Sequence, residues 1–146
     1  MIRMLLFVLV LSSILLAACS GSAAQTPVGE VVGQDVSVSG GRYTDVSVTE
    51  LQTMLAEKDF VFVNVHIPFE GDIPDTDLFI PFDEIEANLN QLPADKDAKI
   101  VLYCRSGSMS SVAATDLVSQ GYTDIWNLAG GFNAWKAAGL SMEGSN

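Results

Sequence analysis

Short apolar runs rich in β-branched residues alternate along the chain with segments whose apolar residues recur every three or four positions. "VSVSGGRYTDVSV" alternates on both sides of Gly40-Gly41, the pattern of a hairpin, and a folded domain is expected from Arg42 onward. Thr49 followed by "ELQTMLAEK" predicts a capped amphipathic helix, and "DFVFVNVH" predicts a buried strand. "DLFIPFD" is a short strand stopped by Pro81, with Asp83 placed to cap a helix over "EIEANLNQL" that Pro93 ends. "KIVLYC" is the next buried strand, and Ser110 to Gln120 a helix with Gly121 just past its end. "DIWNL" and "FNAWKAA", closed by Gly139, complete the alternation. Trp126 and Trp135 fall on apolar faces and are expected in the core or at its rim.

Strands and helices in turn, at these lengths, imply an α/β fold with a central, mostly parallel sheet and helices on both faces. Ligands on such sheets bind at the carboxyl ends of the strands. Cys104 stands at one of those ends.

The first residues follow a different rule. Arg3 precedes an apolar run from Met4 to Leu11, and "LLAAC" ends at Cys19, a charged, apolar and small-residue series that reads as a secretory signal. Leu16-Ala17-Ala18-Cys19 resembles a bacterial lipobox, which implies cleavage before Cys19 and lipid on that cysteine; a plain secretory signal cut near Ala18 is the alternative. Residues 1–18 are thus expected to be removed, and residues 19–41 to be a lipidated cysteine and flexible tether. The domain, 42–146, would then lie in the cell envelope outside the cytoplasm, anchored to the membrane rather than spanning it.

The 146 residues are 49% hydrophobic, enough for one domain to bury a core without disulfides. The formal net charge is −11; loss of residues 1–18 removes Arg3 and leaves six basic against 18 acidic residues, a net of −12. Such a surface excludes nucleic acid as a partner. With Cys19 lipidated, Cys104 is the single free thiol of what is expected to be a monomer.

After Cys104 come Arg105, Ser106, Gly107, Ser108, Met109 and Ser110. Gly107 can adopt positive φ and the serines are small, so successive backbone N–H groups can curl around the sulfur, and the following helix adds its positive end. Both favour thiolate over thiol, and the thiolate is the nucleophile. A small buried hydrophobe at a strand end is the plainer reading of the same cysteine.

"CRSGSMS" resembles the active-site loop of the rhodanese-like (sulfurtransferase) family, a Cys-Arg-x-Gly-x-Arg/Thr-Ser pattern, through Cys104, Arg105, Gly107 and Ser110. Val63, Val65, Glu70, Gly71, Ile73 and Pro74 match a second family segment, and "LAGGFNAWKAAG" resembles its closing Leu-x-Gly-Gly-x-x-x-Trp segment. The resemblance implies the three-layer rhodanese-like fold and no cofactor. It also implies that Cys104 takes sulfane sulfur from a donor such as thiosulfate or a persulfide, holds it as a persulfide, and passes it to a thiol or cyanide. Residues 105–110 would form the cradle, with His66 pairing Glu70 to orient the loop. Asn64, His66 and Asp72 depart from the family's usual Asp, Arg and His, and Met109 replaces an often basic residue, so a non-catalytic binding or sulfur-carrier module of the same fold stays open.

His66 is the only histidine, too few for a zinc set, and the acidic run Glu70, Asp72, Asp75, Asp77 lacks the glycine and distal glutamate of a calcium loop, so no metal is expected. A cysteine phosphatase needs an arginine six residues beyond the cysteine, and that position is Ser110.

Overall fold

The computed structural model describes residues 30–144; the signal segment, Cys19 and the tether up to residue 29 lie outside the described residues. Six strands form one sheet in the order β1-β2-β6-β5-β3-β4, built from β1 (Gln34–Val38), β2 (Gly41–Val46), β3 (Val61–Asn64), β4 (Leu78–Phe79), β5 (Ile100–Tyr103) and β6 (Ile125–Leu128). Only the β1–β2 hairpin is antiparallel. Its β1 strand precedes Arg42, so the folded sheet begins inside the segment read from sequence as tether.

Alternation along β5 explains the layering. Ile100, Leu102 and Cys104 face one side with Ala113, Ala114 and Leu117 of α2 (Ser108–Ser119). Val101 and Tyr103 face the other, with Leu51 of α1 (Val48–Ala56) and with Phe132 and Trp135 of α3 (Gly131–Ala137). All four β5 residues are buried, as a strand covered on both faces requires. Each such Leu or Ile contributes roughly 1.5–3 kcal/mol by leaving water, and this two-sided burial holds the carboxyl end of β5, with Cys104, at a fixed depth.

The start of α1 and the helix expected after Asp83 differ from the sequence expectation. The α1 cap is Ser47 rather than Thr49: Glu50 N–H donates to Ser47 Oγ (3.3 Å) and Ser47 N–H to Glu50 Oε2 (2.9 Å), a reciprocal pair that Thr49 cannot form from inside the first turn. Gly33 N–H also donates to Glu50 Oε1 (2.9 Å), stapling the entry to β1 onto the helix. The helix expected after Asp83 is replaced by two 3₁₀ turns, Phe82–Glu84 and Glu86–Gln91. Asp83 sits within the first and makes no capping bond. Asn88 leaves helical geometry (φ −114°, ψ 20°) and its Nδ2 donates to Glu84 O (2.8 Å), a side-chain competition that interrupts helices. Ile85 and Leu89 still pack on the sheet.

The backbone N–H groups of Ser47 and Gly33, with the Ser47 hydroxyl, hold the Glu50 carboxyl down at about 2, well below its ordinary 4.5. A depressed folded value means the stabilisation is present above the unfolded value and is lost as pH falls through the folded one. Glu50→Ala is expected to cost about 1 kcal/mol at pH 7, with the gap to wild type closing between pH 4.5 and about 2. Urea unfolding across that range checks it, and a gap independent of pH would contradict the carboxylate's role.

Candidate active site

Cys104 follows the last residue of β5, and the chain must turn at once to start α2. Gly107 makes the turn at φ 94°, where a Cβ would also stand 3.3 Å from Gly130 N. The consequence is a cup around the sulfur: Gly107 N–H donates to Cys104 Sγ (3.1 Å) and Ser110 Oγ–H donates to it at 3.4 Å. Burial opposes ionisation here, but the Ser110 hydroxyl and the backbone N–H groups of Ser110, Ser106 and Gly107 outweigh it, and the thiol lies below its ordinary value. The helix starts at Ser108 rather than Ser110, because the glycine bend delivers the chain into helical geometry two residues sooner. Cys104 is 1% exposed and Ser110 fully buried.

The cup is held from behind by α3. Phe132 N–H donates to Cys104 O (2.9 Å) and Asn133 N–H to Arg105 O (3.0 Å). Gly131 permits this approach; at φ 56°, a Cβ there would lie 2.1 Å from Cys104 O. The Gly130-Gly131 pair was visible in the sequence, but its role as the seat of the cysteine loop was not, because the two segments meet only across the sheet.

The remaining loop residues do separate things. Arg105 turns outward, its Nη1 donating to Glu70 Oε1 (3.0 Å). His66 Nε2 approaches the same oxygen at 3.5 Å without hydrogen-bond alignment, and neither ring nitrogen has a hydrogen-bond partner although the side chain is buried in T-shaped contact with the Phe132 ring. Burial works against ionisation of Glu70, yet the contact with His66 and the charge of Arg105 set its carboxyl below the usual range. Ser106 and Ser108 bring their hydroxyls to 3.4 Å of each other at the rim, and Met109 packs against the core cluster that includes Cys104. The cradle is therefore made by N–H groups 106, 107 and 110, while the side chains of Arg105 and Met109 serve its edge.

Asn64 and Asp72, two departures from the family pattern, answer each other. Asn64 Nδ2 donates to Asp72 Oδ1 (2.9 Å) and to Gly71 O (3.1 Å), and Asn64 Oδ1 accepts from His66 N–H (3.0 Å). Tyr103 O–H, kept protonated by burial, also donates to Asp72 Oδ1 (3.2 Å). The acidic run is thus divided among separate contacts, with Asp77 taken by Lys58 (2.6 Å) and Phe62 N–H (2.8 Å). Among the described residues no three His, Cys, Asp or Glu side chains converge to hold a metal.

Gly131→Ala is expected to destabilise the protein by more than the roughly 1–2 kcal/mol of left-handed strain alone, and to slow alkylation of Cys104. Gly121→Ala, at φ 90° but facing open space, should show the strain without the loss of thiol reactivity. Thermal unfolding and iodoacetamide rates measured on both variants separate the two effects. Equal reactivity would show that α3 does not seat the loop.

Residues 47–138 match the rhodanese-like domain family. The chain is 37% identical to a sulfurtransferase of Allochromatium vinosum over 67% of this chain and 92% of that protein. It is 30% identical to the thiosulfate sulfurtransferase GlpE of Pseudoalteromonas translucida over 66% and 91%. The solution structure of a rhodanese-like domain from Anabaena superposes with a TM-score of 0.61 at 25% identity, covering 68% of this chain and 78% of that one. By its cysteine loop, its sheet and these relatives, the chain belongs to the rhodanese-like domain family.

Proposed function

We propose that this rhodanese-type sulfurtransferase carries sulfane sulfur as a persulfide on Cys104 and passes it to a thiol or to cyanide, with thiosulfate or another persulfide as donor. The observation that carries the reading is the pair of donors, Gly107 N–H and the Ser110 hydroxyl, on one sulfur, with the backbone N–H groups of Ser106 and Ser110 also drawing its pKa down. In the first half-reaction the Cys104 thiolate attacks the outer sulfur of the donor. A new S–S bond forms on Cys104 while the donor's own S–S bond breaks, its electron pair leaving with sulfite or with the donor's thiolate. In the second, the acceptor thiolate or cyanide attacks that outer sulfur, and the electron pair of the broken bond returns to Cys104. Negative charge sits on Sγ before the first step and again after the second, where the N–H groups already point, so the anion is stabilised without rearrangement. Cys104 is almost wholly covered, and a transferred sulfur stands one bond further out, which places the reactive atom toward the mouth.

The same reading puts the domain outside the cytoplasm, lipid-anchored through Cys19 and held off the membrane by the small polar residues that follow. The support is the Leu16-Ala17-Ala18-Cys19 sequence and the signal-like run before it.

A chain carrying Cys19→Ser, so that Cys104 is its only thiol, should gain the mass of one sulfur atom on incubation with thiosulfate or polysulfide and lose it to cyanide. Cys104→Ser should gain nothing. Because hydrogen bonds hold the thiol's pKa down, Ser110→Ala should move the midpoint of the alkylation-rate profile to higher pH. A free thiol that never takes up sulfur would favour a non-catalytic binding module.

Cys19→Ala expressed in a bacterial host should lose its lipid and partition into the aqueous phase of a detergent separation. Unchanged partitioning would remove the lipobox reading.

A further inference from the structure

Beside the Cys104 cup, between β2, β6 and the first turn of α2, lies a polar cleft of about 300 Å³. Tyr43, Asp45, Asn127, Ser108 and Ser111 line it, together with Gly107, whose N–H donates to the cysteine sulfur. The cleft and the thiol therefore share one loop residue as a wall.

Its one charged side chain is the Asp45 carboxylate, set among hydroxyls and an amide. Asn127 Nδ2 donates to Asp45 Oδ1 (2.7 Å), which fixes the orientation of the amide and leaves Oδ1, in a side chain 3% exposed, with no hydrogen-bond partner. That oxygen has almost no accessible surface, so the member of the pair that faces a ligand is the half-buried Asp45 carboxylate. Among the described residues no Lys, Arg or His pairs with Asp45: the ion pairs there use Asp35, Asp59, Glu70 and Asp77. Burial and the Asp45 charge raise the Tyr43 hydroxyl, so it is neutral. One carboxylate repels an anion and is too few for calcium. It suits a single positive charge bearing several N–H donors, as a primary ammonium does.

We propose that this cleft binds the ammonium group of a small aminothiol, so that the acceptor's thiol is presented over the mouth of the Cys104 cup while Asp45, oriented by Asn127, holds its amine. The binding site stands by itself; its use in transfer rests on the persulfide reading above. In that step the aminothiol's thiolate forms an S–S bond to the outer sulfur of the Cys104 persulfide. The bond from that sulfur to Cys104 breaks with its electrons returning to the held thiolate, and the product leaves as an aminothiol persulfide with no net oxidation.

The test has two arms on the Cys19→Ser chain. First, propylamine hydrochloride is titrated into the ¹⁵N-labelled, sulfur-free protein, with potassium chloride at equal ionic strength and n-propanol as controls. Saturable shifts of the Gly107, Ser108, Ala129 and Gly130 amides are expected for the amine only, weakened about fivefold or more by Asp45→Asn. No saturable shift, or the same shifts from potassium or propanol, overturns the site; if Asp45→Asn does not fold, the wild-type comparison decides alone. Second, the persulfidated chain is offered cysteamine and 2-mercaptoethanol at equal thiolate concentration. A KM several-fold lower for cysteamine than for 2-mercaptoethanol, with that advantage lost in Asp45→Asn, is expected, and equal KM values in the wild type overturn the role in transfer. A chain that takes up no sulfur fails the persulfide reading while the titration still decides the cleft.

Discussion

A sulfur anion buried at the end of a strand is stable only if donors already point at it, and here the donors are mostly backbone. That requirement reaches through the fold. The N–H groups of Ser106, Gly107 and Ser110 can converge on Cys104 only because Gly107 turns at positive φ and α2 begins immediately after it. The carbonyls of Cys104 and Arg105, pointing the other way, are taken by Phe132 and Asn133 of α3, which comes close enough because Gly131 carries no side chain. Each face of the loop is thus satisfied by a different helix, and β5, packed on both sides, fixes the point from which the loop starts.

Charge around the mouth is arranged locally against a strongly acidic whole. Arg105, the only arginine or lysine of the 104–110 loop, is held at its edge by Glu70, and that carboxylate also faces His66. Thiolate stabilisation at Cys104 therefore comes from short-range dipoles inside the cup, which salt and surface charge screen poorly, rather than from a free cation beside it. The exchange at Asn64 and Asp72 follows the same economy: an amide donates to the carboxylate, Tyr103 donates to it as well, and the pair ties the end of β3 to the loop that carries Glu70. Asn64 and Asp72 thus form a mutually satisfied contact, whereas His66, a third departure from the family pattern, keeps both ring nitrogens unpaired in the interior.

Period and composition were sufficient for the elements that packing makes regular. The β-branched runs at β3 and β5 and the helical spacing in α2 are local consequences of burying one or both faces, so the parallel α/β sheet was legible, as was a cysteine poised before a small-residue loop and a helix start. What depended on which of two local partners wins, or on partners distant in sequence, was not. Ser47 displaced Thr49 as the α1 cap because Glu50 could answer it and also reach Gly33. The Asp83 segment became 3₁₀ turns because Asn88 bonds backward while Ile85 and Leu89 follow the sheet. The hairpin, by contrast, was legible in the alternation around Gly40-Gly41, and its β1 strand carries the sheet ahead of Arg42, where the folded domain was expected to start. The sequence by itself determined the nucleophile and the loop that could cup it, since those lie within a few residues of one another. Only the tertiary structure decided that α3 seats the loop, that Glu70 takes Arg105 out of it, and that Asp45 and Asn127 stand beside it. Those are contacts across neighbouring strands and helices, whose distances no local pattern contains.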